Sequence, residues 1–274
     1  MRLIKRLMMM LVAAVLVLPV FAADAPKVVL DGNRYINAKD RAEVVYVPAG
    51  EFTMGSRAGV GYSDEEPEHK VYLDGYWIYQ TEVTMAQYRA FCQATSRSMP
   101  LTLPVDTVYL GFWKDDHPIV KVTWDDATAY AKWAGAALPT EAQWEKAARG
   151  TDGRSYPWGN EWDAAKCVNS VGSFRSSTAP VGSISAGASP YGALDMAGNV
   201  WEWCADWYDE AYYSSSPAKN PTGPADGDNR VLRGGSWYDN SDATYFRCAS
   251  RCANPPSDRA SNFGFRCVVL SPGP

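Results

Sequence analysis

The chain has 274 residues, a formal charge of −5, eleven tryptophans and six cysteines. An acidic balance excludes the broad basic surface that nucleic acid rewards. Six cysteines are too few for a disulfide-scaffolded mini-protein, so a core rich in Trp and Tyr has to supply most of the stability.

The first 22 residues read as a secretory leader: Arg2, Lys5 and Arg6, then an apolar run, then the small-residue exit Val20-Phe21-Ala22. Cleavage after Ala22 is expected, which takes the formal charge from −5 to −8 because three cations and no acids are removed. The run is short for a span, and no later stretch approaches the roughly 20 apolar residues that crossing a membrane needs. No cysteine stands at the exit, so no lipid anchor is expected. The reading is a periplasmic or secreted chain without a membrane span in its mature form.

Residues 23–42 are polar and read as a tether. From Val44 the pattern is short strands, tight turns and a few helices, and 43–272 is expected to form one loop-heavy domain. VVYVPAGEFTMGS, ending at Ser56, suggests a hairpin about Pro48-Ala49-Gly50, and HKVYLDGYWIYQTEVT continues as a β-rich run. Thr84 with Gln87 forms a capping box, followed by Met85, Tyr88, Phe91 and Cys92 at helical spacing. Thr123 with Asp126 opens a second helix carrying Tyr130 and Trp133 inward. Pro139-Thr140 with Gln143 opens a third, carrying Trp144 and Ala148. Residues 150–230 are rich in Gly, Ser and Pro yet hold five of the eleven tryptophans, which predicts ordered loops pinned by buried rings.

The stretch Asp195-Met-Ala-Gly198-Asn199-Val200-Trp201-Glu202 sets two carboxylates seven residues apart around a Gly-Asn turn. Calcium takes six to eight oxygens, many from backbone carbonyls, and tolerates irregular loops. A turn whose acids merely cap backbone donors has the same pattern.

FTMGS, EVTMAQYRAFC, HPIVKVTWDDATAYAKWAG, LPTEAQWEKAARG, YPWGNEW, DMAGNVWEWCADWY, RVLRGGSW and RCASR with a later NFGFRC follow in order from about residue 45 to 270. In these motifs the chain resembles the formylglycine-generating enzymes, or sulfatase-modifying factors. The resemblance implies a single α/β (α+β) domain of low regular-structure content, distantly like C-type lectins, with structural calcium held in loops. It implies one calcium site at Asp195, Gly198, Val200 and Glu202, with side-chain oxygens from the two acids and carbonyls from the other two. Asn169, followed by Ser170, fits the first half of a second site whose expected acid near Ser173 is missing.

The family oxidises a substrate cysteine with dioxygen, using copper(I) on two cysteines just after a Gly-Gly-Ser-aromatic turn. Here the first of those positions is Asp239 and the second falls near Asp242 or Ala243. Copper(I) is soft and needs thiolate, which carboxylates cannot replace. Copper-dependent formylglycine synthesis is therefore not expected. Trp201, Ser236 and Asn262 match residues lining the family's cleft, Trp237 adjoins them, and Arg247 and Arg251 follow closely. Equally, these residues could serve the fold alone. If a reaction occurs in the cleft, Asp239 or Asp242 would accept the proton, with Tyr238 or Tyr245 nearby.

Cys248 and Cys267 match positions bridged in animal members of the family, but their partners correspond here to Ala148 and Ala131. Re-pairing of the six cysteines is expected, with Cys204–Cys248 as the candidate bridge. Cys248 and Cys252 would lie about 13 Å apart on an extended chain, too far for a bridge. The two histidines, His69 and His117, read as hydrogen-bonding residues rather than ligands.

Two functions from different classes follow. One is an oxidative maturation factor of non-copper type acting on a peptide or peptide-derived substrate, similar to the family member needed for fluorophore formation in pyoverdine siderophores. The other is a non-catalytic, calcium-stabilised binding or regulatory domain recognising a periplasmic protein partner, its aromatic rim formed by Tyr208, Tyr212 and Tyr213. The first requires a cleft acid facing Ser236 and Asn262, whereas the second leaves both acids exposed.

Overall fold

The computed structural model of the chain describes residues 27–100, 114–171, 177–239, 243–270 and 272–274. The expected leader, Asp242 and the segment about Ser173 lie outside the described residues. Among the described residues, no helix is long and apolar enough to cross a membrane.

Three helices form where the capping boxes place them. α1 (Met85–Thr95), α2 (Trp124–Trp133) and α3 (Glu141–Arg149) begin after Thr84, Thr123 and Thr140. In each, the threonine hydroxyl accepts from the backbone N–H three residues on, and that residue's side chain answers the cap's own N–H. α1 buries Met85, Tyr88, Phe91 and Cys92, the four residues whose spacing marked its inner face.

The strands are short and fall into three sheets. β1 (Val28–Asp31), β2 (Arg34–Asn37), β3 (Glu43–Val47), β6 (Tyr76–Tyr79) and β11 (Val268–Val269) form one antiparallel sheet in the order β1-β2-β3-β6-β11. β4 (Gly50–Met54) and β5 (His69–Leu73) form a two-stranded ribbon. β7 (Trp201–Trp207), β8 (Arg230–Arg233), β9 (Arg251–Asn254) and β10 (Phe263–Gly264) form the third, ordered β10-β7-β8-β9, with β10 parallel to β7.

Two expectations are corrected. The hairpin about Pro48-Ala49-Gly50 does not form: β3 pairs with β2 and β6, and β4 pairs with β5. The corner is held instead by Lys146 of α3, whose ammonium donates to the carbonyls of Pro48 and Gly50 at 2.8 Å each. The polar stretch read as a tether contains the β1–β2 hairpin, turned at Asp31-Gly32-Asn33-Arg34, which extends the five-stranded sheet. An Asp-Gly turn between VVL and YI is a hairpin signal that overall polarity masks.

Two apolar layers hold the elements together. Tyr88 of α1 stacks on Tyr130 of α2 at 5.8 Å with an 11° interplanar angle, and Phe265 closes edge-on against both rings. On the other side, Trp144, Ala147 and Ala148 of α3 pack with Phe52, Val71, Cys204 and Val231 from the ribbon and the third sheet. The long loops are ordered as their aromatics predict: Tyr156, Trp158, Trp162 and Phe246 form a continuous run of ring contacts.

Candidate functional site

The site is assembled where β7 and β8 begin and end. The loop before β7 and the loop after β8 are joined by Gly198 N–H on Gly234 O (2.8 Å) and Trp237 N–H on Asn199 O (2.9 Å). Gly198 sits at φ +83°, and a Cβ there would lie 2.2 Å from Val168 O, so only glycine fits. Gly235, at φ +75°, likewise lies against the Phe246 ring, where a Cβ would meet it at 2.9 Å. Across from these turns, Asn262 precedes β10 and receives Trp201 N–H on its carbonyl at 2.8 Å. The strand pair β7–β10 therefore places Trp201 and Asn262 beside the Gly-Gly-Ser turn.

Ser236 is fully buried and serves three partners. Its hydroxyl donates to Asp239 Oδ2 at 2.7 Å and accepts from Asn262 Nδ2 and Tyr238 N–H, both at 3.3 Å. Asp239 is half-buried, and its carbonyl accepts from Ser170 N–H at 3.1 Å. Burial pushes the Asp239 carboxyl above the usual carboxylate range, against hydrogen bonds from Ser236 and Trp201 that favour the charged form. Of the two acids expected after the turn, Asp239 thus faces Ser236, which Asn262 also reaches, while Asp242 lies outside the described residues. Trp201 is buried in the larger apolar layer, consistent with a fixed cleft wall.

Other expected cleft residues are placed elsewhere. Trp237 turns away, packing with Val120, Val168, Ala179 and Val200 and donating its indole N–H to Ser261 O at 3.1 Å. Tyr238 stands out at 69% exposure, edge-on to Trp237. Arg247 and Arg251 do not reach the Asp239 carboxylate. Arg247 clasps Glu65 at 2.7 and 2.6 Å, and Arg251 clasps Glu141 at 2.7 and 3.0 Å. Of the aromatic rim expected of a binding surface, Tyr213 is buried with its ring beneath the Arg251 guanidinium, while Tyr208, which donates to Asp64, and Tyr212 are half-buried.

A second constellation lies beneath the cleft. Glu202 is fully buried, and both its oxygens are engaged by Arg266 at 2.7 Å, with the Trp144 indole N–H adding a third bond at 2.8 Å. Arg266 spends its remaining donors on the carbonyls of Tyr79, Gln80 and Leu194. Asp195, held at φ +56°, accepts Gly182 N–H on Oδ2 at 2.5 Å. Glu82, between β6 and α1, is 1% exposed, and its carboxyl meets that of Asp195 in the buried site. Burial, and then the neighbouring Asp195 charge, raise the Glu82 carboxyl well above its ordinary range; Arg266 opposes this only in part. Burial raises Asp195 too.

Three buried acids thus share one guanidinium, and an unpaired buried carboxylate is costly. They form no ready cage of three side chains. A cation here would take its remaining oxygens from the backbone, as calcium accepts. Glu82 is absent from the expected ligand set, yet it shares the buried site with Asp195. The sequence signal was an acid two residues before the Thr84 helix cap, just past an otherwise buried strand. Asn169 is turned into its own loop: its amide donates to the carbonyls of Ala164 and Cys167, and its oxygen accepts Val171 N–H at 2.9 Å.

All six cysteines are free thiols. The expected Cys204–Cys248 bridge is not formed; both residues are buried in one apolar layer, and burial raises both thiols, Cys248 to about 12. His69 and His117 bond Pro67 O and Thr178 Oγ1, as hydrogen-bonding residues.

The Sulfatase-modifying factor enzyme 1-like domain model matches residues 34–270. The chain belongs to that family. It is 37% identical to the formylglycine-generating enzyme of Streptomyces coelicolor over 90% of this chain and 95% of the relative. It is 33% identical to the formylglycine-generating enzyme of Bos taurus over 83% of this chain and 74% of the relative. Among solved structures, PvdO from Pseudomonas aeruginosa superposes with a TM-score of 0.74 at 28% identity, covering 90% of this chain and 99% of PvdO. The mixed architecture of short helices and small sheets is the family's. The position after the Gly-Gly-Ser-aromatic turn carries a carboxylate, Asp239.

Proposed function

We propose that the chain is an oxidative maturation factor of non-copper type, exported through its N-terminal leader to act on a peptide or peptide-derived substrate. One observation carries the reading: Asp239 turns inward onto Ser236, which Asn262 also grips, instead of facing solvent. A carboxylate with a raised pKa beside fixed donors is suited to accept a proton during reaction. In the proposed step the substrate loses two electrons and two protons; both electrons and both protons, one of them relayed by Asp239, pass to dioxygen, which leaves as hydrogen peroxide. Ser236 orients the acceptor, Trp201 walls the cleft, and the exposed Tyr238 ring meets the substrate at its mouth.

Calcium is proposed as the structural cation of the buried acid cluster. Glu82 and Asp195 would hold it together with the carbonyls of Gly198 and Val200. Glu202, already gripped by Arg266, would serve mainly to fix the loop. The donor set, hard oxygens only, suits calcium and gives no grip to copper(I). When bound, calcium would supply rigidity to the turn that positions Trp201.

The test is to incubate the protein with dioxygen and a library of peptides, reading substrate mass and hydrogen peroxide together. A loss of two mass units with stoichiometric peroxide, abolished in Asp239→Asn, is expected. Retention of peptides without mass change, unaltered in Asp239→Asn, would establish the binding-domain reading instead.

A further inference from the structure

β1 is an edge of the five-stranded sheet: among the described residues it pairs with β2 alone, from Val28 to Asp31. Monomeric proteins blunt such edges with central charges, proline or a bulge, because an open row of backbone groups templates further pairing. The centre of β1 has no charge and no proline, and its register with β2 runs without a shift. Its residues there are Val28, Val29 and Leu30, and Leu30 stands 63% exposed.

The ladder decides which backbone groups are open. Ala38 N–H donates to Lys27 O at 2.8 Å, which marks Lys27 as a position bonded to β2. Bonded positions alternate along an antiparallel strand, so Val29 and Asp31 turn toward β2 as well. Val28 and Leu30 therefore aim their N–H and C=O groups away from the sheet. A strand laid antiparallel along this edge would answer all of them.

Side chains select which strand that is. Lys-Val-Val-Leu-Asp, residues 27–31, is its own complement when reversed. About a two-fold axis at Val29, Val28 faces the second copy's Leu30 and Lys27 faces the second copy's Asp31. The same register places the outward-facing Val28 and Leu30 in the bonded pairs, so backbone and side chains agree. Sliding to the next register of the same phase would set Lys27 or Asp31 opposite Val29 instead. Asp31 also meets Arg41 at 2.6 Å, but that pair is exposed and leaves the acid's side chain 45% accessible.

We propose that β1 is a homodimerisation edge, joining the sheets of two copies of this chain about a two-fold axis at Val29. The contact is isologous, and its small size makes it a weak interface. It does not depend on the chemistry at Asp239.

Sedimentation equilibrium tests it, on the chain purified from cells that express it with its own leader, up to about 0.3 mM because the contact is small. A monomer–dimer equilibrium is expected. Leu30→Pro removes an outward donor and spares the bonds to β2, so it should leave the chain monomeric. Lys27→Asp and Asp31→Lys each set like charges opposite one another, and each homodimer should dissociate about tenfold more readily at low ionic strength. Mixed in equal amounts, these two variants match their charges again, so a heterodimer should form with the parent's affinity. A chain that stays monomeric, a dimer that survives Leu30→Pro, or charge variants that gain nothing on mixing overturns the proposal.

Discussion

Ser236 donates its hydroxyl hydrogen to Asp239 across 2.7 Å from a position with no solvent exposure. The pair ties the Gly-Gly-Ser turn to the acid three residues on. Because the bond favours the ionised carboxylate, Ser236→Ala should raise the Asp239 pKa further. Carboxyl-carbon NMR titration of both forms reads this directly. A downward shift or none would mean that the hydroxyl does not govern the acid.

Glu82 should make stability depend on calcium. In chelator, Glu82→Gln is expected to melt at or above the parent, because it removes a buried carboxyl crowded against Asp195 and Glu202. With calcium at about a hundred times its dissociation constant, the parent should gain about 2.7 kcal/mol and the variant markedly less. Calorimetry with and without chelator gives both numbers, and an unchanged parent transition would count against the cation.

Asp206 should give stability a pH slope. Its pKa is raised to about 8 by burial first and by the Glu141 charge second. A raised folded-state value means that its contribution is fully present below the unfolded value near 4 and is lost as pH climbs through about 8. Across that window this group alone lowers stability by about 1.4 kcal/mol per pH unit. Urea unfolding from pH 4 to 9 should show a shallower decline in Asp206→Asn.

Arg233 joins α3 to the chain after β8. It is wholly buried, meets Glu145 at 2.5 Å, and donates to the carbonyls of Cys248, Ala249 and Ser250. Arg233→Met leaves Glu145 with only Arg149 and strips three carbonyls of their donor. A loss of about 3–5 kcal/mol in urea unfolding is expected.

Gly198→Ala should act on the site through the backbone. The positive φ and the 2.2 Å approach to Val168 O leave no room for a methyl group. A destabilisation of more than about 1 kcal/mol is expected, with weakened calcium response, since the same turn carries Asp195 and Val200. Wild-type melting in the variant would show that the turn yields freely.

What the sequence determined by itself is local. Thr84, Thr123 and Thr140 marked three helix starts because a capping box closes within four residues. The spacing of Met85, Tyr88, Phe91 and Cys92 marked a buried face because helical geometry repeats every turn. The ordered motifs likewise revealed the family. Tertiary structure decided whatever depends on approach across the chain. Pairing partners are chosen by long-range fit, so β3 and β4, adjacent in sequence, went to different sheets. Glu82 and Asp195, 113 positions apart by number, became neighbours only when β6 packed beside the loop before β7. Trp237 was drawn into an apolar layer that its place beside Ser236 did not foretell. Burial and unmatched charge are properties of the assembled molecule, because only folding removes the water that would otherwise answer each polar group.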